Sequence, residues 1–358
     1  MKSFFKTFVF IFISILAFSC SNDDEPAPIP APTPIASGPA SDLFAIASTN
    51  GSILPPFVYK NTTKTNIVTA ANERATLTSI YVNGGDVYIT GNVTTTTAGL
   101  DFQQACYWKN NVKVNVSHAV PAAGGNKAIV EAIAVVGTEV YTTGNISPTV
   151  GSPSRILLWR NGASSFVSEL SSSVYYYATS ISVFGCDVYV SGNGFVRDDS
   201  QAIVWKNGVR TELSAGITEV ETVIANSSGV HALFVEFGSG RISNLKYWKD
   251  GEVTTISSQL PSIGEMSIKG NDVYISGAEK TSATAATKAC YWKNGIKTEL
   301  IDGNNKIAGE IKLGINGDLF IAEKTLHYDA LSYWKNGIKA TLGNSTDVFM
   351  GFDINNKF

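Results

Sequence analysis

One ten-residue pattern occurs twice in this chain, as YWKNGIKTEL at 291–300 and YWKNGIKATL at 333–342, 42 positions apart. Internal repetition narrows the possible folds sharply. A repeated unit of this size buries its apolar face only against its neighbours, so the copies must stack or close into a ring. All six tryptophans belong to the pattern: Trp108, Trp159, Trp205, Trp248, Trp292 and Trp334, spaced by 51, 46, 43, 44 and 42 residues. Each is followed by Lys or Arg, then Asn or Asp, then usually Gly. A degenerate seventh copy, FVYKNTTKTNIV, carries Tyr59 in the Trp place.

Upstream of each Trp lies a second recurring stretch: DVYITGN at 86–92, EVYTTGN at 139–145, DVYVSGN at 187–193 and DVYISGA at 272–278. DLFAIAS at 42–48 and DLFIAEK at 318–324 are looser copies, and GVHALFV at 229–235 is the most divergent. A further apolar run ending in a tight turn precedes each. Every unit thus holds four short runs rich in Val, Ile, Tyr and Thr, which predicts a four-stranded antiparallel meander, strands A to D. Asn-Gly or Asp-Gly after the Trp suits a two-residue C–D hairpin, because such turns need positive φ. Units of about 45 residues without helical periodicity predict an all-β, seven-bladed β-propeller. The first unit lacks a strand A, and the chain ends in DVFMGFDINNKF, a strand A with nothing after it. That C-terminal strand is expected to complete the N-terminal blade and close the ring. The tryptophans are expected to pack between blades.

The chain has 358 residues, 44% apolar and 16% charged, enough for a well-filled core. Residues 1–19 read as a signal peptide: Lys2 and Lys6, then the apolar run from Phe8 to Phe18, too short for a permanent membrane span. Without them the chain carries 25 basic and 30 acidic residues, a net charge of −5. Scattered lysines on an acidic background exclude a nucleic-acid footprint. Cys106, Cys186 and Cys290 are odd in number, and no structural disulfide is expected.

Cys20 directly follows the apolar run, with Ser-Asn-Asp-Asp-Glu after it. This resembles the signal and acidic export tag of surface lipoproteins in the Bacteroidota, although Ala17 stands three residues before the Cys where Leu is usual. The resemblance implies a palmitate-type lipid on Cys20, a membrane anchor and exposure at the outer-membrane surface. Six of the 12 prolines lie between Pro26 and Pro39. Their spacing favours extended polyproline II geometry, so residues 20–40 are expected to be a tether and 41–358 the propeller. The YWKNG hairpin resembles short extracellular repeats of bacterial surface proteins. The blade layout is similar to kelch repeats, with Gly-Asn in place of the double glycine after strand B.

The A–B and C–D turns are near-identical across blades, whereas the B–C and D–A connections differ in each. A site is therefore expected on the variable face. Candidate ligand contacts there are Tyr175, Tyr176, Phe195, Arg197, Asp198 and Asp199 in blade 4, and His327, Tyr328 and Asp329 in blade 7. Blade 3 adds the loop PAAGGNK at 121–127. When strands A are aligned on their turns, Glu131, Glu221 and Glu310 fall at one place and Glu265 one residue away. Strand A should be innermost, so these carboxylates are expected around the channel mouth, where they would raise one another's pKa or recruit Ca²⁺. No other cofactor is expected: His118, His231 and His327 lack zinc spacing, and nucleophile-elbow and Walker motifs are absent. The expected function is a surface-tethered module binding a glycan, peptide or protein. The alternative is a glycoside hydrolase or lyase using the channel-mouth carboxylates.

Overall fold

A computed structural model describes residues 41–49, 55–97, 100–116, 128–147, 153–169, 171–197, 199–238, 243–259, 261–282, 284–324, 331–343 and 347–355. The described residues all belong to one compact unit within 38–358. The predicted signal peptide, Cys20, the tether, the 121–127 loop and His118 lie outside them.

Seven four-stranded antiparallel sheets are present, each in the order A-B-C-D. Strands A are Asp347–Asn355 in blade 1, Glu73–Asn83 in blade 2, Ala128–Val136 in blade 3 and Tyr175–Phe184 in blade 4. Blades 5 to 7 contribute Ile217–Asn226, Ser262–Lys269 and Ile307–Leu313. Each contacts the strand A of the next blade, and blade 1 contacts blades 7 and 2, so the ring closes. Closure runs through the C-terminal strand, which pairs with Asp42–Thr49 from Asp42↔Asn355 to Thr49↔Asp347. The Tyr59 hydroxyl donates to Asp347 Oδ2 at 2.8 Å within the same blade.

The core is divided among the seams between blades. One cluster joins Ala134, Tyr141 and Ile156 of blade 3 to Ile181, Val190 and Trp205 of blade 4. The seam between blades 6 and 7 repeats it with Ala289 and Leu300 against Ile311, Ile321 and Trp334. Trp108, Trp159, Trp205, Trp292 and Trp334 are at most 2% exposed and Trp248 is 8% exposed, as inter-blade packing requires. Two indoles also bond backward: Trp108 Nε1 to the Val68 carbonyl at 2.8 Å and Trp334 Nε1 to that of Ile301 at 2.7 Å. Cys106 and Cys290 are buried and Cys186 is exposed; all three are free thiols.

The two sequence motifs acquire separate structural roles. On the A–B/C–D rim, the acid opening strand B meets the Lys-Asn pair after the Trp. In blade 2, Asn110 Nδ2 donates to Asp86 Oδ1 at 2.7 Å, Lys109 Nζ lies 2.8 Å from Asp86, and the Val87 amide donates to Asn110 Oδ1 at 2.9 Å. Blades 4, 6 and 7 repeat this clasp with Asp187, Asp272 and Asp318. Nearer the axis, the Gly-Asn at the end of strand B joins one blade to the next. Asn92 Oδ1 accepts from the Val130 amide at 2.9 Å, Asn145 from Ala178 at 2.7 Å and Asn193 from Val220 at 2.7 Å.

Candidate functional site

Every A–B pair steps out of register once: at Leu77/Ser79, Val130/Ala132, Ala178/Ser180, Val220/Thr222, Ile263/Met266 and Ala308/Ile311, and in blade 1 opposite Ile46/Ala47. These are β-bulges, which re-aim side chains and sharpen strand twist. Seven bulges at one level form a ring around the axis. Blades 2, 3, 4 and 6 place a glycine opposite the bulge, where a Cβ on Gly144 would lie 1.9 Å from the Ile129 carbonyl oxygen and one on Gly91 2.3 Å from that of Thr76, whereas Ala47, Phe234 and Glu323 hold that place in blades 1, 5 and 7. In the glycine blades only a residue without a Cβ fits the approach of strand A.

The bulges and the residues after them line an axial cavity of about 650 Å³. Glu131, Glu221 and Glu310 line it, joined by Glu265, Lys312, Lys324 and Asp353. The register corrects the expected alignment of the glutamates. Counting from the cross-strand pairs Ile133↔Thr142 and Val223↔Ala232, Glu131 and Glu221 hold the first bulge place. From Met266↔Ile275 and Ile311↔Ile321, Glu265 and Glu310 hold the second. The blade 7 turn, Gly314 to Gly317, is one residue longer than its counterparts, so alignment on turns shifts Glu310 out of place.

Blades 6, 7, 1 and 2 build a charged wall. Lys312 Nζ donates to Glu265 Oε2 at 3.0 Å and Oε1 at 3.2 Å, and Glu265 Oε2 also accepts from the Ile311 amide at 3.3 Å. Asp353, from the closing strand, accepts from the Val82 amide at 2.7 Å and the Ile354 amide at 2.9 Å. Burial pushes Asp353 up to about 6 even with the Lys312 charge and two amides opposing it. Burial works against the Lys312 charge, but Glu265, Asp353 and Glu310 together hold its pKa above the ordinary lysine value. Glu310 is raised well above the usual carboxylate range, first by burial and then by the Glu265 charge. Its Oε2 atom is shut off from solvent and has no hydrogen-bond partner.

The wall of blades 3 to 5 differs. Glu131 is pushed up to about 7 by burial alone. Glu221 is raised by burial against the opposing Lys324 charge, and its exposure is to the interior of the cavity. Between them stand hydroxyls: Thr179 Oγ1 lies 2.9 Å from Ser191 Oγ, and Ser180 Oγ lies 3.4 Å from Thr222 Oγ1. Among the described residues no three His, Cys, Asp or Glu side chains converge as metal ligands.

Among the described residues, the other predicted contacts do not join this cavity. Tyr175 is exposed on the variable rim, opposite Phe195 in the ladder. Phe195 is half-buried, edge-on to Tyr177 at 5.7 Å. Arg197, at φ 56°, and Asp199 are exposed on the same rim. Tyr176 is a correction: it is 3% exposed, packs edge-on against Trp205 at 5.9 Å, and its hydroxyl donates to Glu169. Alternation along strand A turns Tyr176 into the blade seam while Tyr175 and Tyr177 face outward. Asp198, His327, Tyr328 and Asp329 lie outside the described residues. Lys312, Asp353 and Lys324 are site residues not expected from the sequence. Their signal was charge inside an innermost strand, and, for Lys324, a Lys in the place Asn92 holds in blade 2.

No protein-family model matches the chain, and no curated protein does. Among solved structures it is similar to a puromycin-hydrolyzing peptidase of Mycobacterium tuberculosis, at 13% identity and a TM-score of 0.49, over 73% of this chain and 45% of that one. It is also similar to an acylaminoacyl peptidase of Pyrococcus horikoshii, at 12% identity and a TM-score of 0.47, over 78% of this chain and 47% of that one. TolB of Acinetobacter baumannii follows at 9% identity and a TM-score of 0.42, over 72% and 63%. The matches span less than half of the two peptidases, and likeness at this level concerns the fold alone. The chain is a seven-bladed β-propeller with an axial cavity of mixed charge.

Proposed function

We propose that this protein is a surface-anchored lipoprotein of Bacteroidota type whose propeller is a binding module, with the axial cavity as its ligand site. The observation that carries the reading is the contrast between uniform blades and an individual cavity. The acid–Asn clasp recurs in six of the seven blades, Gly229 replacing the acid in blade 5, and a Trp holds the same place in six, whereas the bulge ring holds glutamates, threonines, glycines and a methionine. Uniform residues serve the scaffold, and individual polar groups in a concave site serve recognition. The anchor rests on Cys20 and the acidic stretch after it. Strand B of blade 1 starts at Asp42 on the A–B/C–D rim, so a tether joining there leaves the variable rim free to meet a glycan, peptide or protein. Labelling cells with an alkyne analogue of palmitate tests the anchor: a tagged band is expected, and its persistence in Cys20→Ser overturns the assignment. Binding to a glycan array without release of reducing sugar supports the module.

A hydrolase or lyase is the second reading, favoured by one observation. Glu310, raised by burial, sits in the blade next to Glu265, which bridges to Lys312. Two carboxyl groups in such different surroundings can divide acid and base roles. Sugar release abolished by Glu310→Gln would establish it over simple binding.

A further inference from the structure

The cavity holds more carboxyl groups than cationic ones. Its lining includes five acids, Glu131, Glu221, Glu265, Glu310 and Asp353, against Lys312 and Lys324. The Lys312 ammonium is committed, bridging both oxygens of Glu265 while Asp353 and Glu310 share its field. Lys324 reaches only the Glu221 side, as a charge at a distance. Glu131 and Glu221 make no side-chain hydrogen bond or ion pair among the described residues. The Glu310 Oε2 atom is buried at the cavity wall without a partner.

A buried carboxyl group without a partner keeps its proton or finds a cation. A divalent metal demands several oxygens converging at short range, and no such group exists among the described residues. An ammonium group asks less: it carries three donors that can reach separate carboxylates and hydroxyls. Glu131 and Glu221 occupy the same register place two blades apart, with the hydroxyls of Thr179, Ser180 and Thr222 between them. At about 650 Å³, the space is that of a small-molecule pocket.

We propose that the axial cavity binds a small organic cation carrying a primary ammonium group, held between Glu131 and Glu221 with the hydroxyls of Thr179, Ser180 and Thr222 as further acceptors. The assignment rests on the binding-module reading and names its ligand class. Binding should strengthen as pH rises and the carboxyl groups ionise. The titratable groups facing the ligand are the five acids, the two lysines and the Tyr81 phenol, with Glu219 adding negative charge beside Glu221.

Titration calorimetry on the full chain tests this with 1,4-diaminobutane against neutral 1,4-butanediol, and glucosamine against N-acetylglucosamine. The two pairs separate an aliphatic amine from an amino sugar as the source of the ammonium group. An ammonium probe should bind where its neutral partner does not. Its apparent enthalpy should differ between phosphate and HEPES buffers, neither of which carries a primary amine, because protons leave the protein on binding. Glu131→Gln with Glu221→Gln should weaken binding about tenfold or more, with the melting curve confirming a folded ring. No heat from either ammonium probe at millimolar concentration overturns the proposal. So does equal binding of the neutral probes, or full affinity in the double variant. Glycan-array binding that survives in that variant would remove the ammonium assignment and leave the binding module standing.

Discussion

Single residues decide how closely strands A and B approach. Gly144→Ala would drive a methyl group into the Ile129 carbonyl, 1.9 Å away on rigid backbone. That overpacking should cost about 3 kcal/mol or more. Gly85→Ala meets nothing within 4 Å and should change stability by less than about 0.5 kcal/mol. Urea unfolding of the two variants checks the contrast. Glu131 sets a pH dependence at the same level. Its pKa is pushed from 4.5 to about 7 in the folded state, so the folded form binds more protons between those values. This contribution to stability is fully present below the unfolded value and is lost as pH rises through about 7. Glu131→Gln should remove a loss on the order of 2 kcal/mol. The melting temperature of the variant should therefore fall less between about pH 5 and pH 8 than that of the parent.

At the level of elements, the blade was legible in the sequence because its parts recur. DVY, Gly-Asn and Trp-Lys-Asn-Gly mark strand B, its inner end and the C–D hairpin at nearly constant spacing. What each motif contacts was not legible. The clasp joins Asp86 to Asn110 across 24 residues, and the inter-blade bond joins Asn193 to Val220 across 27. Register alone reveals those pairings. The bulge was equally hidden, since an extra residue in strand A leaves no compositional trace. One longer turn was enough to pair Glu310 with the wrong glutamates, while Lys312 and Asp353 come from blades distant in sequence. Position also separates the energetic weight of the two motifs. Asn193→Ala would leave the Val220 amide and carbonyl without their partner in a buried seam. This should cost about 1–3 kcal/mol. Asp272→Asn, in an exposed clasp beside Lys293, should leave the melting temperature unchanged. Equal losses from the two variants would mean that the inner bond carries no special role.

For the whole molecule, the closing strand is the element on which the ring depends. Deleting residues 347–358 removes every ladder partner of Asp42–Thr49 on the axial side, leaving that edge open. Phe352 and Ile354 leave the core shared by blades 7 and 1. The Tyr59–Asp347 bond is lost from blade 1. Asp353 no longer accepts from the Val82 amide, so one hydrogen bond between blades 1 and 2 is lost. Two large apolar side chains at roughly 2–3 kcal/mol each, with several polar groups stranded at 1–3 kcal/mol each, reach on the order of 10 kcal/mol. A domain stable by about 5–15 kcal/mol cannot absorb that and unfold as one unit. The truncated chain should therefore lose its cooperative melt and aggregate through the open edge. A synthetic peptide of residues 347–358 should restore the melt by adding back as a strand. The point variant Phe352→Ala should cost about 3–5 kcal/mol while keeping a single transition. An unchanged melting temperature in the truncated chain would mean that the ring holds without its C-terminal strand.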